Sequence, residues 1–82
     1  MIHGHVQGVF FRDTMRRRAV EHGVAGWVRN NPDGTVEAAF EADPEAVEAM
    51  VRFAAEGPRG AFVERVEVVE EEPEGLEGFG IR

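Results

Sequence analysis

Two stretches of this chain carry apolar residues at helical spacing along a single stripe. Phe11, Met15 and Ala19 form the first; Ala46, Met50, Phe53 and Ala54, widened by Val47 and Val51, form the second. A helix with one apolar stripe has to lay it against another element. The segments around these helices have strand character. Ile2 to Val6 is β-branched at both ends, and Val24 to Asn30 reads as a second strand. Thr35 to Glu41 alternates, with Val36, Ala38 and Phe40 on one face and Thr35, Glu37 and Glu41 on the other. Asn31-Pro32-Asp33-Gly34 is turn chemistry, so residues 24–41 form a hairpin. Phe62 to Val69 reads as a fourth strand. The opposite parity of Val63 and Val66 predicts a bulge or break near Glu64-Arg65. Phe79 to Arg82 is a short terminal strand or tail, and Glu70-Glu71-Glu72 a solvated strand end.

The order β-α-β-β-α-β, with both helices covering one sheet face, describes an α+β protein. It is a two-layer ferredoxin-like α/β sandwich with an antiparallel sheet whose Thr35/Glu37/Glu41 face is the wetter one. The first helix runs from Arg12 to about His22, with Gly23 as its C-cap. The second opens on Asp43-Pro44, an N-cap followed by proline at the first helical position, and Gly57-Pro58 stops it. Trp27 reads as core or as a platform on the hairpin, and His22 as a helix C-terminal residue.

The 82 residues fit one domain, 1–82, with room for one simple site. A chain this short buries only roughly 60% of its unfolded surface. The absence of cysteine excludes disulfides, thiolate nucleophiles and cysteine-based zinc sites, and suits a reducing cytoplasm. No apolar run approaches the about 18 residues of a membrane span, and no signal peptide is visible. The expectation is a cytoplasmic monomer that binds neither membrane nor nucleic acid.

Net charge is −7, and nucleic-acid binders usually present a basic surface instead. The charge is unevenly spread. Residues 1–31 hold five arginines against two acids, a balance of +3; residues 32–82 hold four against fourteen, a balance of −10. A small anion is drawn to the N-terminal third. All nine basic residues are arginine, which a genome-wide codon bias explains without selection. Such a bias does not choose which arginine follows a glycine turn.

That arginine closes the stretch Gly4-His5-Val6-Gln7-Gly8-Val9-Phe10-Phe11-Arg12. Gly4 and Gly8 flank a turn from a strand into a helix start. There the backbone N–H groups have no partner within the helix, and the macrodipole adds partial positive charge. Glycines let such a backbone approach an anion, and Arg12 adds a bidentate donor for phosphate oxygens. An ordinary strand-to-helix turn is the plainer reading of the same spacing. Phe10 and Phe11 read as core anchors that hold the loop in shape. Asn30, a poor strand former at the end of the second strand, either carries a role or merely starts the turn.

The pair G-H-V-Q-G-V-F-F-R and G-W-V-R-N-x-P-D-G-T-V resembles the acylphosphatase signature, and the likeness continues through E-G-P-R-G-A-F-V-E-R-V to G-F-G-I-R at the end of the chain. The resemblance implies hydrolysis of small acyl phosphates to a carboxylate and inorganic phosphate, the latter also an inhibitor, without metal or other cofactor. It places the substrate cradle on Gln7, Gly8, Val9, Phe10 and Phe11, the phosphate-binding arginine on Arg12, and the water-orienting asparagine on Asn30. Such chemistry needs no strong acid. The leaving carboxylate has a low pKa, phosphoryl transfer is mostly positioning and charge stabilisation, and an amide can hold water in line.

Three features depart from the family pattern. The first strand is short, His5 stands where arginine or lysine is common, and Asn31 stands where threonine or serine is frequent, which could loosen the bonding around Asn30. His3 and His5 share a strand face but lack a third metal ligand. Two other functions are weighed against the enzyme. One is a non-catalytic phosphate- or carbamoyl-phosphate-binding module, which a chain ending at residue 82 disfavours. The other is an RNA-binding module of the same element order, which the acidic open face disfavours.

Overall fold

The computed structural model describes residues 1–82. Its elements are β1 (Ile2–His5), α1 (Phe11–Glu21), β2 (Ala25–Asn30), β3 (Val36–Glu41), α2 (Pro44–Glu56), β4 (Phe62–Val66) and β5 (Phe79–Ile81). The strands form one sheet in the order β4-β1-β3-β2-β5. The ferredoxin-like sandwich is therefore present, with one correction to the expected antiparallel sheet: β5 pairs parallel to β2, from Gly26↔Phe79 to Val28↔Ile81. The reason is topological. β4 closes one edge of the sheet, and residues 67–78 carry the chain to the opposite edge, where it arrives running alongside β2.

Both helical stripes are buried as their periodicity requires. Phe11, Met15 and Ala19 from α1 meet Met50, Phe53 and Ala54 from α2 over Ile2, Val28 and Val36 of the sheet. The rings of Phe11 and Phe53 pack at 5.8 Å between centroids, tilted by 57°, a favourable aromatic geometry. α1 ends as read, with Gly23 at φ 67 just beyond His22. β2 and β3 pair without interruption from Ala25↔Glu41 to Asn30↔Val36, so Asn30 lies beside the turn.

β4 contains the expected bulge. His3 faces Arg65 and Gly4 faces Val63, leaving Glu64 as the extra residue. Gly4 therefore belongs to β1, not to the turn that follows. It sits at φ 132, and a Cβ there would fall 2.1 Å from the Phe62 carbonyl oxygen. β4 stops at Val66, short of the expected Val69. Past Val66 only Glu67 still meets the start of β1, its N–H donating to the Met1 carbonyl at 2.9 Å and its carbonyl accepting from the Met1 amine at 3.1 Å, and residues 67–78 then leave for the opposite edge.

The outer sheet face is less uniformly wet than its pattern suggests. Thr35 is buried, its hydroxyl donating to Asp33 Oδ1 at 2.6 Å. Trp27 is a half-buried platform on which the guanidinium groups of Arg82 and Arg29 rest, 4.6 and 5.1 Å from the ring centroid. Glu41, at the end of β3, clasps the return segment. Its carboxylate accepts from the backbone N–H of Glu74, from Gly75 at 3.2 Å and from Leu76 at 2.6 Å. These amide bonds, that of Glu74 foremost, hold the Glu41 carboxyl below the usual glutamate range.

Candidate active site

The turn between β1 and α1 has an alternating backbone. Gly8 takes φ 73 and Phe10 φ 59, while Val9 and Phe11 avoid positive φ. Alternation of this kind curls successive amides toward one concave side, the geometry of an anion-binding nest. Gly8 adopts its conformation freely. Phe10 is the only other residue of the chain besides glycines with positive φ, at a local cost on the order of 1 kcal/mol. Phe10 is also the N-cap of α1 and supplies no side-chain capping bond. The N–H groups of Gly8, Val9, Phe10, Phe11, Arg12 and Asp13 consequently donate to no backbone or side-chain acceptor of the chain; the first helical bond at this end is Thr14 N–H to the Phe10 carbonyl.

A cleft of about 430 Å³ opens on this turn, lined among others by Val6, Gly8, Arg12, Asn30 and Ile81. Arg12 is exposed and makes no ion pair, so its fork is free for an oxyanion. Its neighbour Asp13, a charge of the wrong sign for that purpose, lies 3.5 Å from Arg17 and 3.7 Å from Arg16. The Asn30 side-chain oxygen is buried and without a hydrogen-bond partner, an arrangement that calls for an explanation outside ordinary folding.

The loop and Asn30 are tied together. Gln7 Nε2 donates to the carbonyls of Asn31 at 2.8 Å and Thr35 at 3.0 Å, one on each side of the hairpin turn. Its amide group is thus occupied in positioning, and only the backbone of Gln7 is left to face a ligand. Asn31 does not loosen the turn. Its N–H donates to the Thr35 carbonyl, and its side chain donates to Thr35 Oγ1 at 3.1 Å and Glu37 Oε1 at 3.3 Å. Arg29 completes this network at 2.8 Å from Glu37, and that bond above all holds the Glu37 carboxyl below its ordinary range.

Of the residues expected at the site, Gly8, Phe10, Phe11, Arg12 and Asn30 line one cleft; Val9 is half-buried against the core behind it. The expected core role holds for Phe11, which is 2% exposed, and fails for Phe10, which is 81% exposed. The left-handed backbone turns the Phe10 ring outward. Spacing alone could have shown this, because Phe11, Met15 and Ala19 complete the stripe without it. Ile81, within the terminal G-F-G-I-R, also lines the cleft, which no local spacing indicates. It reaches the cleft only because β5 adds beside β2. His3 Nε2 lies 2.9 Å from Glu67 Oε1 and His5 is exposed; no group of three or more His, Cys, Asp or Glu side chains is placed to hold a metal ion.

A second concavity, between the end of α1 and the start of α2, is lined by Asp43, Glu45 and Glu48 with His22 and Arg52. Its carboxylates make it a poor host for an anion. The turn after β1 instead brings free amides, an unpaired guanidinium and a buried amide oxygen to one cleft of an α+β sandwich.

Residues 1–81 match the acylphosphatase family. An acylphosphatase of Thermococcus kodakarensis is 62% identical over 80 residues, covering 98% of this chain and 88% of that protein. The crystal structure of an acylphosphatase from Bacillus subtilis superposes with a TM-score of 0.94 at 33% identity, covering 99% of this chain and 91% of that one. A full-length HypF crystallised in a phosphate- and nucleotide-bound form contains a similar fold (TM-score 0.91, 29% identity), of which this chain covers 11%. The chain belongs to the acylphosphatase family.

Proposed function

We propose that this protein is an enzyme that hydrolyses the carboxyl–phosphate bond of small acyl phosphates to a carboxylate and inorganic phosphate. The observation that carries this reading is the run of unpartnered amides at Gly8–Asp13, opening on the same cleft as the free guanidinium of Arg12 and the unpaired oxygen of Asn30.

The amides of Gln7 to Phe11 and the fork of Arg12 bind the phosphoryl oxygens, neutralising charge where it is concentrated in the transition state. The Asn30 side-chain oxygen accepts a hydrogen bond from water and holds it in line with phosphorus. Water attacks, the bond from phosphorus to the acyl oxygen breaks, and the carboxylate leaves with the bonding pair. A phosphoryl oxygen takes the water's proton, so no side-chain base is needed. Phosphate, the product, occupies the same cradle and inhibits competitively. The protein acts as a monomer on a small molecule, not on nucleic acid or membrane, and a chain without cysteine suits the cytoplasm.

Benzoyl phosphate hydrolysis with EDTA present tests the reading. Turnover that survives EDTA and collapses in Arg12→Ala supports it; full activity in Arg12→Ala sinks it. The fold shared with part of HypF favours one other reading, a binding module without turnover, and a wild-type protein that binds phosphate but hydrolyses nothing would establish that one.

A further inference from the structure

The rim of the cleft carries two exposed apolar side chains that phosphate chemistry does not use. Phe10 is 81% exposed and Ile81 43% exposed, and both line the cleft that holds Arg12 and Asn30. Phe10 is disfavoured twice over. Its backbone is in the left-handed region that glycine occupies readily, and its ring gains almost no burial from folding. A strained residue at a functional cleft motivates a functional hypothesis. Exposed apolar groups beside a polar binding point are what an apolar ligand segment would cover. Ile81 has a different origin, since β5 alone brings it beside β2 and hence to the rim near Asn30.

We propose that Phe10 and Ile81 form an apolar lip that binds the acyl group of the substrate. They give the enzyme a preference for acyl phosphates with a flat or branched apolar acyl group over acetyl phosphate. The proposal rests on the hydrolase reading and adds a specificity element to it. Once amides and arginine hold the phosphoryl oxygens, the acyl group is the remaining part of the substrate and lies against the rim. An aromatic ring at position 10 offers it a broad flat contact, and Ile81 offers a second.

The test compares kcat/KM for benzoyl phosphate and acetyl phosphate in wild type, Phe10→Gly, Phe10→Leu and Ile81→Ala. Glycine suits the positive φ at position 10, so Phe10→Gly removes the ring without adding strain. The wild type is expected to prefer benzoyl phosphate. The preference should fall about tenfold in Phe10→Gly and about threefold in Ile81→Ala, magnitudes typical of one apolar contact. The loss should appear mainly in KM for benzoyl phosphate. Phe10→Leu should keep most of the preference. Equal losses on both substrates would mean that these side chains only shape the loop, and the lip would be overturned. A wild type that prefers acetyl phosphate overturns it as well. Turnover of neither substrate by the wild type overturns the hydrolase reading itself, a result distinct from turnover of both with an unmoved ratio.

Discussion

The two helices begin in opposite ways. α2 starts at Asp43, whose extended backbone (φ −65, ψ 159) lets Oδ1 accept from the Ala46 N–H at 3.0 Å, with Pro44 next and Glu45 in the first turn. α1 starts at Phe10, in the left-handed region, with no side-chain cap; Arg12 and the acid Asp13 follow in its first turn. Both face the same problem of orphaned N–H groups at a positive dipole end. Both carry an acid in the first turn, but only α2 solves it within the chain, by a side-chain acceptor. α1 leaves its donors free and adds a cation that the dipole disfavours. A helix start without a cap of its own keeps donors that an external anion can take up.

Substitutions that exchange these roles test the contrast. The largest expected effect is Arg12→Ala, which should lower kcat/KM for an acyl phosphate by about 10³ or more while shifting unfolding free energy by no more than about 0.5 kcal/mol, as for an exposed unpaired side chain. Denaturant melts alongside kinetics check both halves; a large stability loss with activity retained would erase the distinction between the helix starts. Asn30→Ala should cost roughly 10²–10³ in kcat, comparable to losing one positioned hydrogen-bonding group, and single-turnover rates would separate that from weaker binding. Asp43→Ala should do the reverse of Arg12→Ala. It should lose about 1 kcal/mol of stability and leave kcat/KM unchanged.

The smallest effect is a pH dependence in the Glu41 clasp. Its carboxyl titrates below the ordinary 4.5 in the folded protein because three amides bind the ionised form. Its stabilisation is therefore present above that ordinary value and is lost as pH falls from about 4.5 through the lowered folded value. Glu41→Gln should melt lower than wild type at neutral pH, and the gap should close in acid. A gap constant down to the acid limit would mean that the clasp holds through shape and not charge.

Elements with local causes were legible in the sequence. The stripes of α1 and α2, the Asp43 cap, the hairpin turn and even the bulge at Glu64 follow from spacing and turn chemistry within a few residues. The features that differ from the sequence pattern have non-local or conformational causes. The apolar pattern carries β4 to Val69, whereas the chain turns away at Val66 toward the opposite edge of the sheet. Apolarity points Phe10 to the core, whereas its backbone φ decides otherwise. No spacing joins position 81 to position 12, and the partners of Glu41 lie at residues 74–76, beyond β4.

By itself, the sequence determined the β-α-β-β-α-β order, the buried stripes and a glycine-containing loop closed by Arg12 at a helix start, since each depends on periodicity or on the chemistry of neighbouring residues. Tertiary structure decided which donors stay free, how Gln7 ties the loop to the turn beside Asn30, that β5 joins parallel and carries Ile81 to the cleft, and that Phe10 faces outward. Those features depend on which distant backbones meet and with what handedness, and that is settled only when the whole sheet closes over its helices.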